Sequence, residues 1–358
     1  MADHRTAQPP AHGPQMVTSK ENDVTTVATP PDSSKTEWRP TDFAIKVAQH
    51  PRAPIVVALI GVCVTMSVLS DAFLTQRNLT NVLAQSSVVG IAAVGATFII
   101  ITGGIDLSVG SNVALAGMVT ATAVNKGFPP LLGVALCVLL AVAVGAFNGS
   151  SVAWLGLVPF IVTLASLGMG RGLTLQISEG QSVYGLPETL TWLGGGEIGA
   201  VPVPLITMLV VFAAGHLVLT RTTLGHKIFA IGGNRQAARL SGIRDKQILF
   251  IVYVIAGLCA GVAALILVGR IGAATPTAGT GLELQVIAAV VIGGCSLFGG
   301  KGSMIGTLIG ILLIGVINNG LTLLNVSPFW VQFIQGALIF LAVLLDAFNQ
   351  RRLKTAAI

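Results

Sequence analysis

The hydrophobic pattern of this chain is one of long unbroken runs, not of alternation. From Pro54 onward, apolar stretches of about 20 residues follow one another, divided by short segments of Gly, Pro, Asn or charge. At 1.5 Å per residue each run is long enough to cross about 30 Å of hydrocarbon. Ten membrane segments are expected, at 54–72, 81–101, 106–125, 130–154, 158–177, 201–219, 247–268, 283–299, 304–324 and 328–348. The eighth is short and interrupted by Gly293-Gly294, which leaves open a count of nine or a re-entrant piece. The expected fold class is an all-α integral membrane protein with about ten transmembrane helices, some broken by Gly.

Composition agrees with that reading. Of 358 residues, 53% are hydrophobic and only 9% charged, against about 25% charged in soluble domains. Between Pro54 and Thr220 the charged residues are Asp71, Arg77, Asp106, Lys126, Arg171, Glu179, Glu188 and Glu197. The net charge of +6 does not imply nucleic acid, because Lys and Arg gather in short loops beside the spans. The segment 220–246 holds Arg221, Lys227, Arg235, Arg239, Arg244 and Lys246 against Asp245, and the tail carries Arg351, Arg352 and Lys354. Both are expected to be cytoplasmic. The segment 178–200 has Glu179, Glu188 and Glu197 without a base, and is expected on the opposite side. An even number of spans with both termini cytoplasmic satisfies all three.

Three regions follow: a disordered cytoplasmic tail over 1–53, Pro-rich and with no apolar leader core; a transmembrane domain over 54–348; and a basic cytoplasmic tail over 349–358. Cys63, Cys137, Cys259 and Cys295 sit in apolar runs without metal-ligand spacing and read as small hydrophobes. No metal and no cofactor are expected.

One segment breaks the pattern at membrane depth. Gly103-Gly104-Ile105-Asp106-Leu107-Ser108-Val109-Gly110-Ser111 places an acid, glycines and hydroxyls between two apolar runs. An ionisable group there needs a structural or functional reason. Two readings fit. In one, Gly103-Gly104 ends the second span, and Asp106 or Ser108 caps the third helix by accepting its unpaired N–H groups. In the other, Asp106, Ser108, Ser111 and Asn112 line a pathway whose hydroxyl and amide groups suit a neutral polyhydroxylated solute.

Asn148, Thr163, Ser166, Gln176, Gln332 and Gln335 read as interhelical hydrogen-bond partners within spans. Asn318 and Asn319, about 100° apart on one helix, are further pathway candidates. Arg171 is expected to snorkel outward. Gly103-Gly104, Leu107 and Gly110 are echoed 190 residues later by Gly293-Gly294, Leu297 and Gly300, a hint of duplication.

In the basic segment, Asn234 is expected to cap a two-turn helix from Arg235 to Ser241, stopped by Gly242. Arg235 and Arg239 share one face at i, i+4. That helix suits a partner's groove or lipid headgroups equally well. The run Gly299-Gly300-Lys301-Gly302-Ser303 is not a phosphate loop, since no Ser or Thr follows the lysine directly and Cys295 stands at the place of the first glycine. No nucleophile elbow or zinc-ligand pair occurs, so the chain is not expected to be an enzyme.

Three blocks identify a resemblance: Gly103 to Ser111, Ala230 to Ile243 and Gly269 to Leu324. The chain resembles the permease subunits of bacterial ABC sugar importers of the ribose/xylose/galactoside type, over about Pro54 to Asp346. It departs from the family's pattern at Gln285, often acidic there, and at Cys295, often Thr. The resemblance implies a permease homodimer in the inner membrane, with cytoplasmic ATP-binding subunits and a periplasmic sugar-binding protein. It also implies that Asn234, Arg235, Ala237, Ala238, Arg239, Ser241 and Gly242 form the ATPase-coupling loop, with Ala237, Ala238 and Gly242 docking. An ion-coupled secondary transporter of a small polar solute is the alternative.

Overall fold

The computed structural model describes residues 53–355; the expected N-terminal tail, Ala53 apart, lies outside them. Within that range the chain forms thirteen helices and one two-stranded hairpin. In order they are α1 (Ala53–Leu69), α2 (Gln76–Ile101), α3 (Val109–Asn125), α4 (Pro130–Ala153), α5 (Pro159–Ser178), α6 (Glu188–Gly195), β1 (Glu197–Ile198), β2 (Val201–Pro202), α7 (Val203–Arg221), α8 (Thr223–Gly233), α9 (Arg235–Leu240), α10 (Asp245–Ile271), α11 (Leu282–Ile292), α12 (Met304–Leu323) and α13 (Pro328–Thr355). Prolines in the first turns of α4, α5 and α7 start those helices where their missing N–H costs nothing.

Each of the ten expected segments contains a helix. By length and apolarity six can cross a membrane: α2, α4, α5, α7, α10 and α12. α1, α11 and the first part of α13 are apolar but shorter. α13 runs on to Thr355, past the expected end of the last span.

The core is built on two helices. α2 is buried on every side from Ser86 to Ile101, as expected of a helix with no lipid-facing stripe. α10 packs against α4, α2, α6 and α3. Its closest partner is α4, and the reason is glycine at four-residue spacing on both helices. Gly145 and Gly149 of α4 face Tyr253 and Phe250, while Gly257 and Gly261 of α10 face Ala141 and Val138. A methyl on Gly257 would lie 2.6 Å from the Ala141 carbonyl oxygen and 3.0 Å from the Val142 Cα. Lipid supplies no hydrophobic drive for helix association, so this close backbone packing is what joins the pair.

Two loop systems close the opposite ends of α10. The 178–200 segment, expected as a plain loop, contains α6 and a hairpin pairing Glu197 with Pro202. Gly194 of α6 meets the backbone of Ile266, Gly269 and Arg270. The other end of α10 carries α8 and α9.

The eighth segment is helical only over α11, whose 11 residues span about 16 Å at 1.5 Å per residue. It stops at Gly293-Gly294, Gly294 having φ of +91°, and it starts only after a loop that enters between the helices. Val183 exchanges both backbone hydrogen bonds with Ala274, near the α6 end. Five residues later Gly279 lies against Gly110 at the start of α3. That level is set by Asn112, which donates to Ala141 O at 3.1 Å, next to Gly257 near the midpoint of α10. Residues 272–281 therefore dip to mid-depth, and α11 covers only the remaining half. Arg171 corrects the snorkelling expectation: its Nη1 donates to the carbonyl oxygens of Pro276 at 2.9 Å and Ala278 at 2.8 Å. Irregular backbone at membrane depth must be satisfied by protein, and Arg171 does this.

Gly257→Val is expected to lower stability by roughly 1–3 kcal/mol through overpacking at α4. Gly168→Ala, with nothing within 4 Å of the added methyl, is expected to be neutral. Thermal unfolding of the detergent-purified variants checks both.

Candidate functional site

The first group of predicted site residues comes together around the α2–α3 break. Gly103 ends α2 with φ of +81°, which only glycine adopts without strain. Asp106 does not cap α3 in the expected way. Ser108 occupies the cap position without a capping side-chain bond, and Asp106 Oδ1 instead accepts from Ser108 N–H at 2.8 Å and Ser108 O–H at 2.6 Å. The carboxylate thus shapes the turn one step before the helix.

Ser108 Oγ in turn accepts from Asn148 Nδ2 at 2.9 Å, and Asn148 Oδ1 accepts from Ser166 Oγ. A polar chain therefore crosses α3, α4 and α5, with Ser108, Asn148 and Ser166 all buried. Thr163 of α5 bonds Ile105 O at 3.2 Å, closing the same layer. Ser111 and Asn112 lie one turn further along. With Ser166, Phe147, Met169 and Leu173 they line a space of about 320 Å³. Asn112 Oδ1 is buried there with no partner, as is Glu283 Oε2, which sits against Gly110.

Asn318 and Asn319 are elsewhere. Asn319 exchanges two hydrogen bonds with Asn78 of α2, at 2.8 and 3.0 Å, and is a lock between α2 and α12. Asn318 Oδ1 accepts from Gln335 Nε2 at 3.0 Å. Gln335 borders a separate space of about 520 Å³, shared with Thr280, Thr322, Asn325, Ser327 and Gln332. Its inner boundary is the end of the dipping 272–281 loop.

The basic segment folds locally as its sequence dictates. Asn234 Oδ1 accepts from Ala237 N–H at 3.0 Å, and α9 ends before Gly242 at φ +81°. Arg235 Nε and Arg239 Nη2 both donate to Asp245 Oδ2 at 2.7 Å. The Asp245 side chain is 8% exposed, and the two arginines are about half exposed. This pins α9 to the first turn of α10. Ala238 packs inward at 4% exposure, so it anchors α9 instead of offering a docking contact. Exposed with the arginines are Asn234, Gln236, Ala237, Leu240, Ser241 and Gly242, and Leu240 is 90% exposed.

Comparison with known proteins decides the family. A profile described as branched-chain amino acid transport system / permease component matches residues 78–343. The ribose import permease of Escherichia coli K12 is 46% identical over 294 residues, 81% of this chain and 92% of the relative. The D-allose transport system permease of the same organism is 42% identical over 318 residues, 88% and 96% of the two chains. The L-arabinose ABC transporter permease of Azospirillum brasilense is 37% identical over 303 residues, 84% and 89%. The chain belongs to the permease family of ATP-binding-cassette importers. Such permeases are transport subunits, not enzymes, and work with ATP-binding subunits and substrate-binding proteins. With six helices fit to span, this permease is a multi-pass protein of the inner membrane.

Residues that sequence reasoning did not place with the candidate site are Asn148, Ser166 and Glu283 beside the α2–α3 break, and Leu240 and Asp245 at α9. Asn148 and Ser166 carried a signal, as polar residues inside apolar spans. Nothing in the sequence pairs them with Ser108.

Asp106→Asn is expected to unfold close to the parent chain, because its amide oxygen still accepts from Ser108. Asp106→Ala leaves that N–H and O–H without their partner and is expected to cost about 1–3 kcal/mol. Thermal unfolding separates the two, and equal losses would show that the charge itself is needed.

Proposed function

We propose that this permease imports a monosaccharide (a pentose, hexose or related polyol) as a homodimer, by alternating access driven by partner ATPases. The observation that carries the proposal is the near-full-length likeness to proteins named as ribose and D-allose permeases. The polar chemistry supports it. The pathway candidates Ser108, Ser111 and Asn112, with Asn148 and Ser166, are neutral donors and acceptors, as a sugar requires. Asp106, the acid that would serve an ion-coupled mechanism, is bonded to Ser108.

In this reading the chain crosses ten times, α9 and both termini face the cytoplasm, and α6 faces the periplasmic binding protein. Spaces at opposite ends fit alternating access. The 520 Å³ space lies toward the periplasm, beside the α12–α13 turn. A second of about 300 Å³, lined by Gly103, Gly104, Pro159, Arg235 and Tyr253, lies toward the cytoplasm. The buried polar chain and the packed start of α3 stand between the two levels. The ATPase docks on Ala237, Leu240, Ser241 and Gly242, with Asn234, Arg235, Ala238 and Arg239 holding the loop in shape.

The test is uptake of labelled D-ribose and D-allose into proteoliposomes holding the permease, its ATPase and its binding protein. Uptake is expected only with ATP inside the site-accessible compartment, and uptake driven by an ion gradient without the ATPase would overturn the assignment. Leu240→Asp, at a side chain that is 90% exposed, is expected to insert normally and to lose at least about tenfold in ATPase affinity, the equivalent of about 1.4 kcal/mol.

A further inference from the structure

Besides the Arg235 and Arg239 pairs with Asp245 and the inward-packed Ala238, the α9 segment meets the rest of the permease through main chain. Gly300 N–H donates to the carbonyl oxygen of Ile101, the last residue of α2, at 2.9 Å. A methyl on Gly232 of α8 would collide with that same oxygen and lie 2.5 Å from Gly300 N. A methyl on Gly299 would lie 3.0 Å from both Gly103 N and Gly232 O. One on Gly300 would lie 2.9 Å from the Gly233 Cα. Gly103, Gly299 and Gly300 have φ of +81°, +84° and +74°. Three chain segments far apart in sequence therefore interlock with no side chain between them.

Each segment leads somewhere. Gly233 is followed by Asn234, the cap of α9. Gly103 is followed by Asp106 and the polar chain through Ser108, Asn148 and Ser166. Gly299 and Gly300 belong to the α11–α12 loop, whose turn is closed by Ser296 N–H donating to Lys301 O at 3.1 Å. Side-chain contacts yield by changing rotamer, but close-packed backbone does not, and a push on one segment must move all three.

We propose that Ile101–Gly103, Gly232–Gly233 and Gly299–Gly300 form one rigid junction that carries the displacement of α9 to the α2–α3 break and the α11–α12 loop together. Gly232, Gly299 and Gly300 are positioning residues for transport. The proposal rests on α9 being the segment the ATPase moves. The space of about 300 Å³ that Arg235 shares with Thr102, Gly103, Gly104 and Tyr253 leaves the junction room to shift.

Adjacent glycines supply the test. Gly232 and Gly233 both lie in α8, where alanine favours the helix equally. A methyl on Gly232 strikes the junction, whereas one on Gly233 meets nothing within 4 Å. In the reconstituted complex of permease, ATPase and binding protein, ATP hydrolysis and D-ribose and D-allose uptake are measured together. Gly233→Ala is expected to keep both within about twofold, and Gly232→Ala to keep hydrolysis within about twofold while uptake per ATP falls at least about tenfold, within the range of ordinary coupling energies. Unchanged uptake per ATP in Gly232→Ala, or equal loss in Gly233→Ala, overturns the junction. Failure of the parent complex to use ATP at all would instead overturn the importer reading.

If Gly232→Ala does not accumulate in the membrane, hydrogen exchange of the parent complex is compared with and without ATP. Protection that changes together over Ile101–Gly103, Gly232–Gly233 and Gly299–Gly300 is expected of one junction. Change confined to one of the three segments overturns it.

Discussion

Hydrocarbon offers no partner for a free N–H or C=O, and each departure from helix in this permease is arranged around that constraint. The dip of residues 272–281 to mid-depth depends on Arg171, whose guanidinium takes two of its carbonyl oxygens. The α2–α3 break depends on Asp106 for the Ser108 N–H. The α11–α12 loop gives Gly300 N–H to Ile101 O. A soluble protein leaves such groups to water. Here each irregular segment is fastened to another element, and the irregular segments are therefore mechanically joined to the helices around them.

Glycine is what makes that fastening compact. At α4 and α10 it lets two spans approach until carbonyl oxygens meet Cα atoms. At the α9 end it lets three backbones interlock. The same residue type thus serves permanent packing in the middle of the molecule and a transmitting contact at one end. The difference lies in what adjoins each site. Gly257 is surrounded by helix core, while Gly232 and Gly300 meet Ile101, next to the cavity-lining Thr102 and Gly103.

Much of this was legible in the sequence and some was not, for definite reasons. Run length alone placed a helix in each of the ten expected segments, because a membrane span is a local property. Asn234 and Gly242 bounded α9 correctly, because caps are also local. The interruption of the eighth segment at Gly293-Gly294 was legible, and α11 ends there; the loop before it, which lies against Gly110 some 170 residues away in the chain, was not. Arg171 read as a snorkelling residue because its carbonyl partners at Pro276 and Ala278 follow more than 100 residues later. The resemblance implied docking by Ala238, and a two-turn helix does not show in its sequence which side faces its own chain; Ala238 is buried.

The account centres on α9, held to α10 by the shared Asp245 carboxylate, with Leu240 projecting from it. If that face is where ATP-binding subunits dock, its exposed residues lie within a cross-linker's reach of those subunits in the working complex. Ala237→Cys, in a chain with Cys63→Ser, is labelled with a maleimide-linked benzophenone and irradiated in membranes that also contain the ATPase; Cys137, Cys259 and Cys295 are buried within the permease. The account predicts a permease–ATPase adduct that is lost when Leu240→Asp is combined with it. A complex that transports sugar with ATP but gives no adduct from α9 would contradict it.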